Sequence, residues 1–148
     1  MKTLKSYKNR IPSDINIICS TVQEIIDYLQ NSEGAIAECC VFELKVILNE
    51  LIINAVKHGN QCSPDKYVDI IAGMCPGKYV YVIVEDQGEG YDYNKIMVNN
   101  NECADPFACL FDLKETGRGI MIVKNLCESV RFNKNGNKVV VLKKLVTQ

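Results

Sequence analysis

The sequence predicts a two-layer α/β sandwich in which a mixed, mostly antiparallel sheet carries its helices on one face. Apolar residues recur at helical spacing in two early stretches, residues 13–31 and 36–58. Strand-like segments follow at residues 66–74 and 78–86, and two more flank Asn135-Gly136, a strong hairpin signal. Because helices and antiparallel strands are segregated along the chain, we expect one sheet with its helices packed on one side.

The composition indicates one cytoplasmic domain that spans residues 1–148. A chain of 148 residues is long enough to bury a core of its own. Charged residues make up 24% of it and the formal net charge is −1, which argues against a dedicated nucleic-acid or membrane-surface binder. No apolar run approaches the roughly 18 residues of a membrane span. The basic start is not followed by an apolar segment, so a secretion signal is not expected.

The eight cysteines are expected to be reduced and mostly buried. Cys39 and Cys40 are adjacent in a helical stretch, while Cys19 and Cys127 fall inside apolar runs. The chain has no CxxC motif and its one histidine is His58, so a zinc site of the usual ligand spacing is not predicted.

The first elements can be assigned from capping and periodicity. Lys2 to Lys8 is predicted as a short edge strand, and Ser13, which follows a proline, as the N-cap of the first helix. That helix is expected to end between Asn31 and Gly34. Its buried face should consist of residues at helical spacing, namely Ile17, Ile18, Val22, Ile25, Ile26 and Leu29.

The second helix is predicted from Ile36 to His58, with Gly59 as the residue that ends it. An apolar stripe along this helix should face the sheet, and it consists of Leu44, Ile47, Leu48, Leu51 and Ala55. The remaining predicted elements are a third helix at Ile120 to Cys127 and two hairpin strands at Val130 to Phe132 and Val139 to Leu145.

Two polar residues interrupt the apolar turns of the second helix. Glu50 and Asn54 are four residues apart and therefore lie on one side of the helix, beside the core stripe. In a structural interpretation, Glu50 binds a backbone N–H and Asn54 binds a loop. In a functional interpretation, the carboxylate accepts a proton and the amide oxygen ligates Mg²⁺, which prefers oxygen ligands. The helix alone leaves both interpretations open.

Two glycine clusters follow. The strand that ends at Asp86 continues into Gly88 and Gly90, and a carboxylate at a strand end can accept a hydrogen bond from an exocyclic amino group such as that of adenine. Thr116-Gly117-Arg118-Gly119 opens directly onto the third helix, where free N–H groups and the helix dipole favour phosphate. Each cluster alone is also compatible with an ordinary glycine-rich turn.

The order of the three segments resembles that of one ATPase superfamily. Glu50 to Gly59, Asp86 to Gly90 and Gly117 to Gly119 are similar to the N, G1 and G2 boxes of the GHKL-type ATPases. This superfamily, with the Bergerat fold, includes gyrase, the histidine kinases, heat-shock ATPase chaperones and mismatch-repair ATPases. Within it the chain resembles the bacterial anti-sigma factors that are also serine-protein kinases, over nearly its whole length.

The resemblance implies a role for each matching residue. Asp86 would read the adenine amino group of ATP, with Gly88 and Gly90 making room for the base. Asn54 would ligate the Mg²⁺ that bridges the phosphates, and Glu50 would be the general base for the attacking hydroxyl. The phosphates would be wrapped by the loop of Thr116, Gly117, Arg118 and Gly119. Arg118 is open to a second interpretation, as a solvated surface residue.

The resemblance also implies partners, and the segment between the two glycine boxes predicts a lid. The expected protein is an ATP-dependent serine/threonine-protein kinase that sequesters a sigma factor and phosphorylates its antagonist, an anti-anti-sigma protein. The alternative is a regulatory module that binds nucleotide without phosphoryl transfer. Relatives of this type are commonly dimers, so a homodimer is expected. The Asn-rich segment of about residues 92–115, which separates the two glycine boxes, is predicted to be a lid.

Overall fold

The computed structural model describes residues 5–34, 36–89 and 119–146. The predicted lid at 92–115 lies outside these residues. In chain order the elements are β1 (Ser6–Pro12), α1 (Ile18–Glu33), α2 (Glu38–Ile53), β2 (Tyr67–Cys75), β3 (Tyr79–Glu85), α3 (Gly119–Leu126), β4 (Ser129–Phe132) and β5 (Lys138–Lys144).

The five strands form one sheet in the order β1-β2-β3-β5-β4. All four described strand pairs are antiparallel, so the sheet is more uniform than the mixed one predicted. The two-layer α/β architecture is confirmed. The edge strand predicted at residues 2–8 is at the sheet edge but spans Ser6–Pro12, because Ile11 is buried opposite Val68 and Arg10 pairs with Asp69.

The core lies between the sheet and the helices. In β3 the residues Val80, Val82 and Val84 are buried, and the residues between them are half-buried. This alternation is typical of a strand with one face in the core. The stripe predicted on the second helix is fully buried, and so is the face predicted for the first helix except Ile17, which packs at its margin. Tertiary packing therefore follows the predicted periodicity.

The first helix begins differently from the prediction. The cap is Asp14, whose side chain accepts a hydrogen bond from the backbone N–H of Asn16 at 2.9 Å and begins a 3₁₀ turn at Ile15–Ile17. Ser13 is instead buried, and its hydroxyl donates to the carbonyl of Lys66 at 2.8 Å. The assignment of Ser13 as the cap was therefore wrong, because a tertiary contact takes its hydroxyl. The helix ends at Gly34 as predicted, with φ of 88°.

The end of the second helix is wider than a regular α-helix. Regular geometry stops at Ile53, and Asn54–Gly59 form a π-helical turn that the N–H of Asn60 closes by donating to the Ala55 carbonyl at 2.8 Å. Gly59 does not have positive φ, so the left-handed cap predicted there is not formed. Such π-helical turns occur frequently at functional sites.

The cysteine prediction was wrong for burial. The six cysteines within the described ranges are free thiols. Cys19, Cys39 and Cys62 are exposed, whereas Cys40 is buried. Burial raises the pKa of Cys127 to about 12, so this half-buried thiol stays protonated. Among residues 5–34, 36–89 and 119–146 no cluster of histidine, cysteine and acidic residues could hold a metal ion. No helix of the same ranges is long and apolar enough to cross a membrane.

Candidate nucleotide-binding site

A pocket lies where the end of α2, the end of β3 and the β4–β5 turn meet. Both Asn54 and Asp86 line it. Thirty-two residues separate these two side chains in the sequence, so the fold brings together two residues predicted for one site. The other described lining residues are Leu51, Ala55, Val84, Ile120, Phe132, Gly136, Asn137, Lys138 and Val139.

Asp86 is the first residue after β3, and its carboxylate is held by the turn that follows. Its side chain is 6% exposed, and its Oδ1 accepts a hydrogen bond from the N–H of Gly88 at 2.8 Å. Its backbone is paired with Asn137, because the Asp86 N–H donates to the Asn137 carbonyl and the Asn137 amide donates to the Asp86 carbonyl. The carboxylate is therefore fixed at the pocket wall.

Burial raises the pKa of Asp86 above its usual range, because a charged carboxylate loses solvation inside the protein. The hydrogen bond from Gly88 opposes that rise, since it stabilises the charged form, and nearby Lys66 acts in the same direction. The neighbouring carboxylate of Glu85 raises the pKa further. A buried carboxylate is suited to bind a hydrogen-bond donor on a ligand, because buried lone pairs without a donor cost free energy.

Two glycines allow this close packing. A Cβ on Gly59 would come closer than 3.0 Å to the Asp86 carboxylate, and a Cβ on Gly88 would come equally close to the Gly59 carbonyl. Gly88 was predicted to make room for a base, and its immediate neighbour is the backbone of the π-helical turn. Gly59 was predicted only as a helix end, yet its missing side chain is what lets Asp86 approach α2.

Asn54 begins the π-helical turn and is 7% exposed. Its side-chain Nδ2 is buried and has no hydrogen-bond partner among the described residues. The loop contact of the structural interpretation is therefore not seen for this amide nitrogen. A buried amide with an unpaired end, in the wall of a pocket, fits a residue that binds a ligand. The side chain is also chemically suited to Mg²⁺, because an amide oxygen is a hard ligand.

Glu50 lies one helical turn before Asn54, and its carboxylate reaches the start of α3. A Cβ on Gly119 would come closer than 3.0 Å to Glu50 Oε2, so only glycine leaves room for the carboxylate here. Negative charge at a helix N-terminus is favoured by the helix dipole. Gly119 is the first residue of α3, as expected, and its place in a phosphate site stays a prediction. Gly90, Thr116, Gly117 and Arg118 lie outside the described residues.

The sequence interpretation missed two asparagines. Asn60 is fully buried behind the Asp86 turn, and Asn137 is bound to the Asp86 backbone from the β4–β5 turn. Both lie one residue beyond a glycine, Gly59 and Gly136, that the sequence had assigned to a helix end or a hairpin. A polar residue at such a position is usual, so the pattern gave no signal that these amides face inward.

Comparison with known protein families matches residues 16–143 to the histidine kinase-like ATPase domain. The match begins after β1 and ends one residue before the end of β5, so it includes β2 to β5, the three described helices and every described residue of the pocket. The chain belongs to this ATPase domain family. The ATPase domain implies that the chain binds ATP.

Individual relatives share less than a third of their aligned residues with this chain. An anti-sigma F factor of Clostridium perfringens is 28% identical over 109 residues, which cover 71% of this chain and 73% of the relative. An anti-sigma F factor of Geobacillus is 29% identical over 109 residues, covering 72% and 70% of the two chains. The serine-protein kinase RsbW of Oceanobacillus iheyensis is 24% identical over 106 residues, covering 72% and 66%. The resemblance stated from the sequence motifs is confirmed.

Proposed function

We propose that this protein is an ATP-binding anti-sigma factor with serine/threonine-protein kinase activity. The observation that carries the proposal is the pocket in which a buried carboxylate, Asp86, and a buried amide with an unpaired nitrogen, Asn54, face the same space. The family implies ATP, and these two side chains have the chemistry that its base and its metal-bound phosphates need.

In this proposal Asp86 accepts a hydrogen bond from the adenine amino group, and the π-helical turn holds it in place. Asn54 presents its amide oxygen to Mg²⁺, which would neutralise phosphate charge when bound. Gly119 and the N-terminus of α3 would bind the phosphates, and the family resemblance assigns Thr116, Gly117 and Arg118 to the same role. Gly90 would leave room for the base beyond Gly88.

Glu50 is proposed as the general base that accepts the proton of the attacking hydroxyl. It is one turn from Asn54 and touches Gly119, so it lies between the proposed metal ligand and the proposed phosphate loop. Phosphoryl transfer depends mainly on positioning and charge neutralisation, which such a placement supplies. The hydroxyl would belong to a serine or threonine of a protein substrate.

The partners are proposed from the names of the relatives. Relatives are named anti-sigma F factor and serine-protein kinase RsbW, which supports a sigma factor as the sequestered partner and a protein as the kinase substrate. An anti-anti-sigma protein is the substrate that we propose. We also propose that the protein acts in the cytoplasm, as a homodimer, and without binding nucleic acid directly.

One observation favours a second candidate, a nucleotide-dependent binding module without phosphoryl transfer. The Glu50 carboxylate lies against the first residue of α3, where a helix dipole stabilises it as a structural group. A carboxylate committed to that role would hold the ATP site together without accepting a proton. ATP occupancy would then select the bound partner.

Binding and transfer can be tested separately. We expect calorimetry to show ATP and ADP binding that depends on Mg²⁺, and Asp86→Ala to weaken it about tenfold to a hundredfold, the value of a buried hydrogen bond. Unchanged ATP affinity in Asp86→Ala would exclude the site. Incubation with γ-labelled ATP and a candidate anti-anti-sigma domain then distinguishes the kinase, which labels the domain, from the binding module, which does not.

A further inference from the structure

Asn60 is a buried amide that the proposed reaction does not use. It follows the π-helical turn and its exposed fraction is 0%. A primary amide buried this completely must find partners for both its donor and its acceptor, because an unpaired end costs about 1–3 kcal/mol. The partners of Asn60 come from three different parts of the fold.

The side chain of Asn60 is fully hydrogen-bonded. Its Nδ2 donates to the Ser13 hydroxyl and to the Tyr67 carbonyl, both at 2.8 Å. Its Oδ1 accepts from the N–H of Gln87 at 2.7 Å. The amide therefore joins the residue after β1, the first residue of β2 and the turn after β3 to the end of α2.

The contact with Gln87 lies directly beside the proposed base-reading group. Gln87 follows Asp86, and the Asp86 carboxylate accepts from the next N–H along, that of Gly88. Two successive N–H groups of this turn are thus bound by side chains, one by Asn60 and one by Asp86 itself. The other side of the same peptide, the Asp86 carbonyl, accepts from the Asn137 amide at the longer distance of 3.1 Å. Without the bond from Asn60 the peptide therefore loses its shorter anchor, and the direction of the Asp86 carboxylate is less firmly set.

We propose that Asn60 is a positioning residue that sets the adenine selectivity of the site by holding the Asp86–Gly88 turn. This inference rests on the proposed function, in which Asp86 reads the amino group of adenine. Asn60 does not touch the base. Its Nδ2 group is anchored on Ser13 and Tyr67, and its Oδ1 holds the Gln87 N–H, which belongs to the peptide that follows Asp86.

Selectivity distinguishes positioning from a structural role. ATP and ITP differ at position 6 of the purine, where ITP has an oxygen in place of the amino group. A misdirected Asp86 loses affinity for ATP and little for ITP, so the ratio of the two affinities falls. A residue that only stabilises the fold lowers the melting temperature and leaves that ratio unchanged in the folded fraction.

The experiment measures ATP and ITP dissociation constants by calorimetry for four variants and the unmodified protein. Asn60→Ala removes all three side-chain bonds, and we expect the ATP preference to fall about tenfold. Ser13→Ala removes one of the anchors of Nδ2, and we expect a smaller fall. Thr21→Val is the matched control, since Thr21 is buried on α1 and donates to the Ile17 carbonyl far from the pocket. Asp86→Ala shows how far the ATP preference falls when the base-reading carboxylate is removed.

The outcomes test the positioning role of Asn60 separately from base reading by Asp86. A folded Asn60→Ala with the unmodified ATP preference overturns the inference, provided that Asp86→Ala loses that preference. If Asn60→Ala does not fold, the decision rests on Ser13→Ala, for which an unchanged ratio overturns the inference and a lowered one supports it. If Asp86→Ala itself keeps the preference, base reading by Asp86 fails, and the inference fails with it. A fall in Thr21→Val equal to that in Asn60→Ala also overturns the inference.

Discussion

Asp86 and Asn54 line one pocket with two different groups, a carboxylate and a neutral amide. Among the described residues, the carboxylate of Asp86 accepts from the Gly88 N–H, and the Asn54 amide nitrogen has no hydrogen-bond partner. Both side chains are more than nine-tenths buried. Groups that a fold leaves incompletely bonded at such depth are functional candidates, because an apolar residue would stabilise the fold better.

The structural and catalytic roles of Glu50 can be distinguished by replacing one carboxylate oxygen with an amide nitrogen. Glu50→Gln keeps the size and much of the hydrogen bonding of the side chain but removes the proton acceptor. We expect nearly unchanged ATP affinity and a fall in phosphoryl transfer of about 10² to 10⁴. Transfer of label from γ-labelled ATP measures it, with the exposed Glu38→Gln on the same helix as the control. A normal transfer rate in Glu50→Gln would show that the contact with Gly119 is the whole role of the residue.

At the scale of elements, the π-helical turn determines where α2 meets the sheet. A regular helix would carry Gly59 and Asn60 to different angles, whereas the wider turn brings Gly59 against Asp86 and Asn60 behind it. The sheet supplies the other half of the site, since β3 ends at Glu85 and the β4–β5 turn reaches the same edge. The pocket therefore depends on how elements join, more than on any one element.

The contact between Gly59 and Asp86 predicts a mutation that acts on the site through packing. Gly59→Ala places a Cβ closer than 3.0 Å to the carboxylate, at a backbone conformation that alanine can adopt. We expect Asp86 to be displaced and ATP affinity to fall at least about tenfold, the loss of one good hydrogen bond. Calorimetry of the variant measures the affinity.

Gly34→Ala is the matched control for that substitution. Gly34 has φ of 88° and ψ of −151°, and a Cβ added to it would meet no atom within 4 Å, so alanine there costs about 1–3 kcal/mol of stability by backbone strain alone. It should leave ATP affinity unchanged. Equal ATP affinity in Gly59→Ala and Gly34→Ala would show that Asp86 can move aside without loss.

At the scale of the whole molecule, the site reduces stability as the pH rises. Burial raises the pKa of Asp86 in the folded state, so the folded protein holds this proton more tightly than the unfolded chain. Below the unfolded pKa both states are protonated and no penalty exists. Between the two pKa values stability falls as the pH rises, and above the raised pKa the whole penalty is present.

Asp86→Asn should therefore stabilise the nucleotide-free protein at neutral pH while weakening its site. The amide retains an oxygen for the Gly88 N–H and carries no buried charge. We expect a gain of about 1.4 kcal/mol for each unit by which burial raises the pKa, and no gain below about pH 4. Urea unfolding at both pH values measures it, with the exposed Asp65→Asn as control. A variant no more stable than the unmodified protein at pH 7 would contradict a buried-charge penalty.

Local patterns in the sequence were enough to locate the elements and most of the described site. Apolar spacing located both long helices, alternation located β2 and β3, and Asn135-Gly136 located the last hairpin to within one or two residues. Glu50, Asn54, Asp86, Gly88 and Gly119 were predicted as site residues from their positions next to those elements and from the family resemblance. These features are local, and periodicity within ten or twenty residues reports them directly.

Contacts across the fold, in contrast, were decided by tertiary packing. Asn60 bonds Gln87 and Ser13, which are 27 and 47 residues away, and the same hydroxyl of Ser13 is thereby unavailable as a helix cap. Gly59 packs against Asp86. Several cysteines that were expected to be buried are exposed. Such contacts follow from strand register and from the π-helical turn, whose energies depend on partners distant in the chain. A local pattern cannot report them, because the same residue suits a turn, a cap or a buried bond equally well.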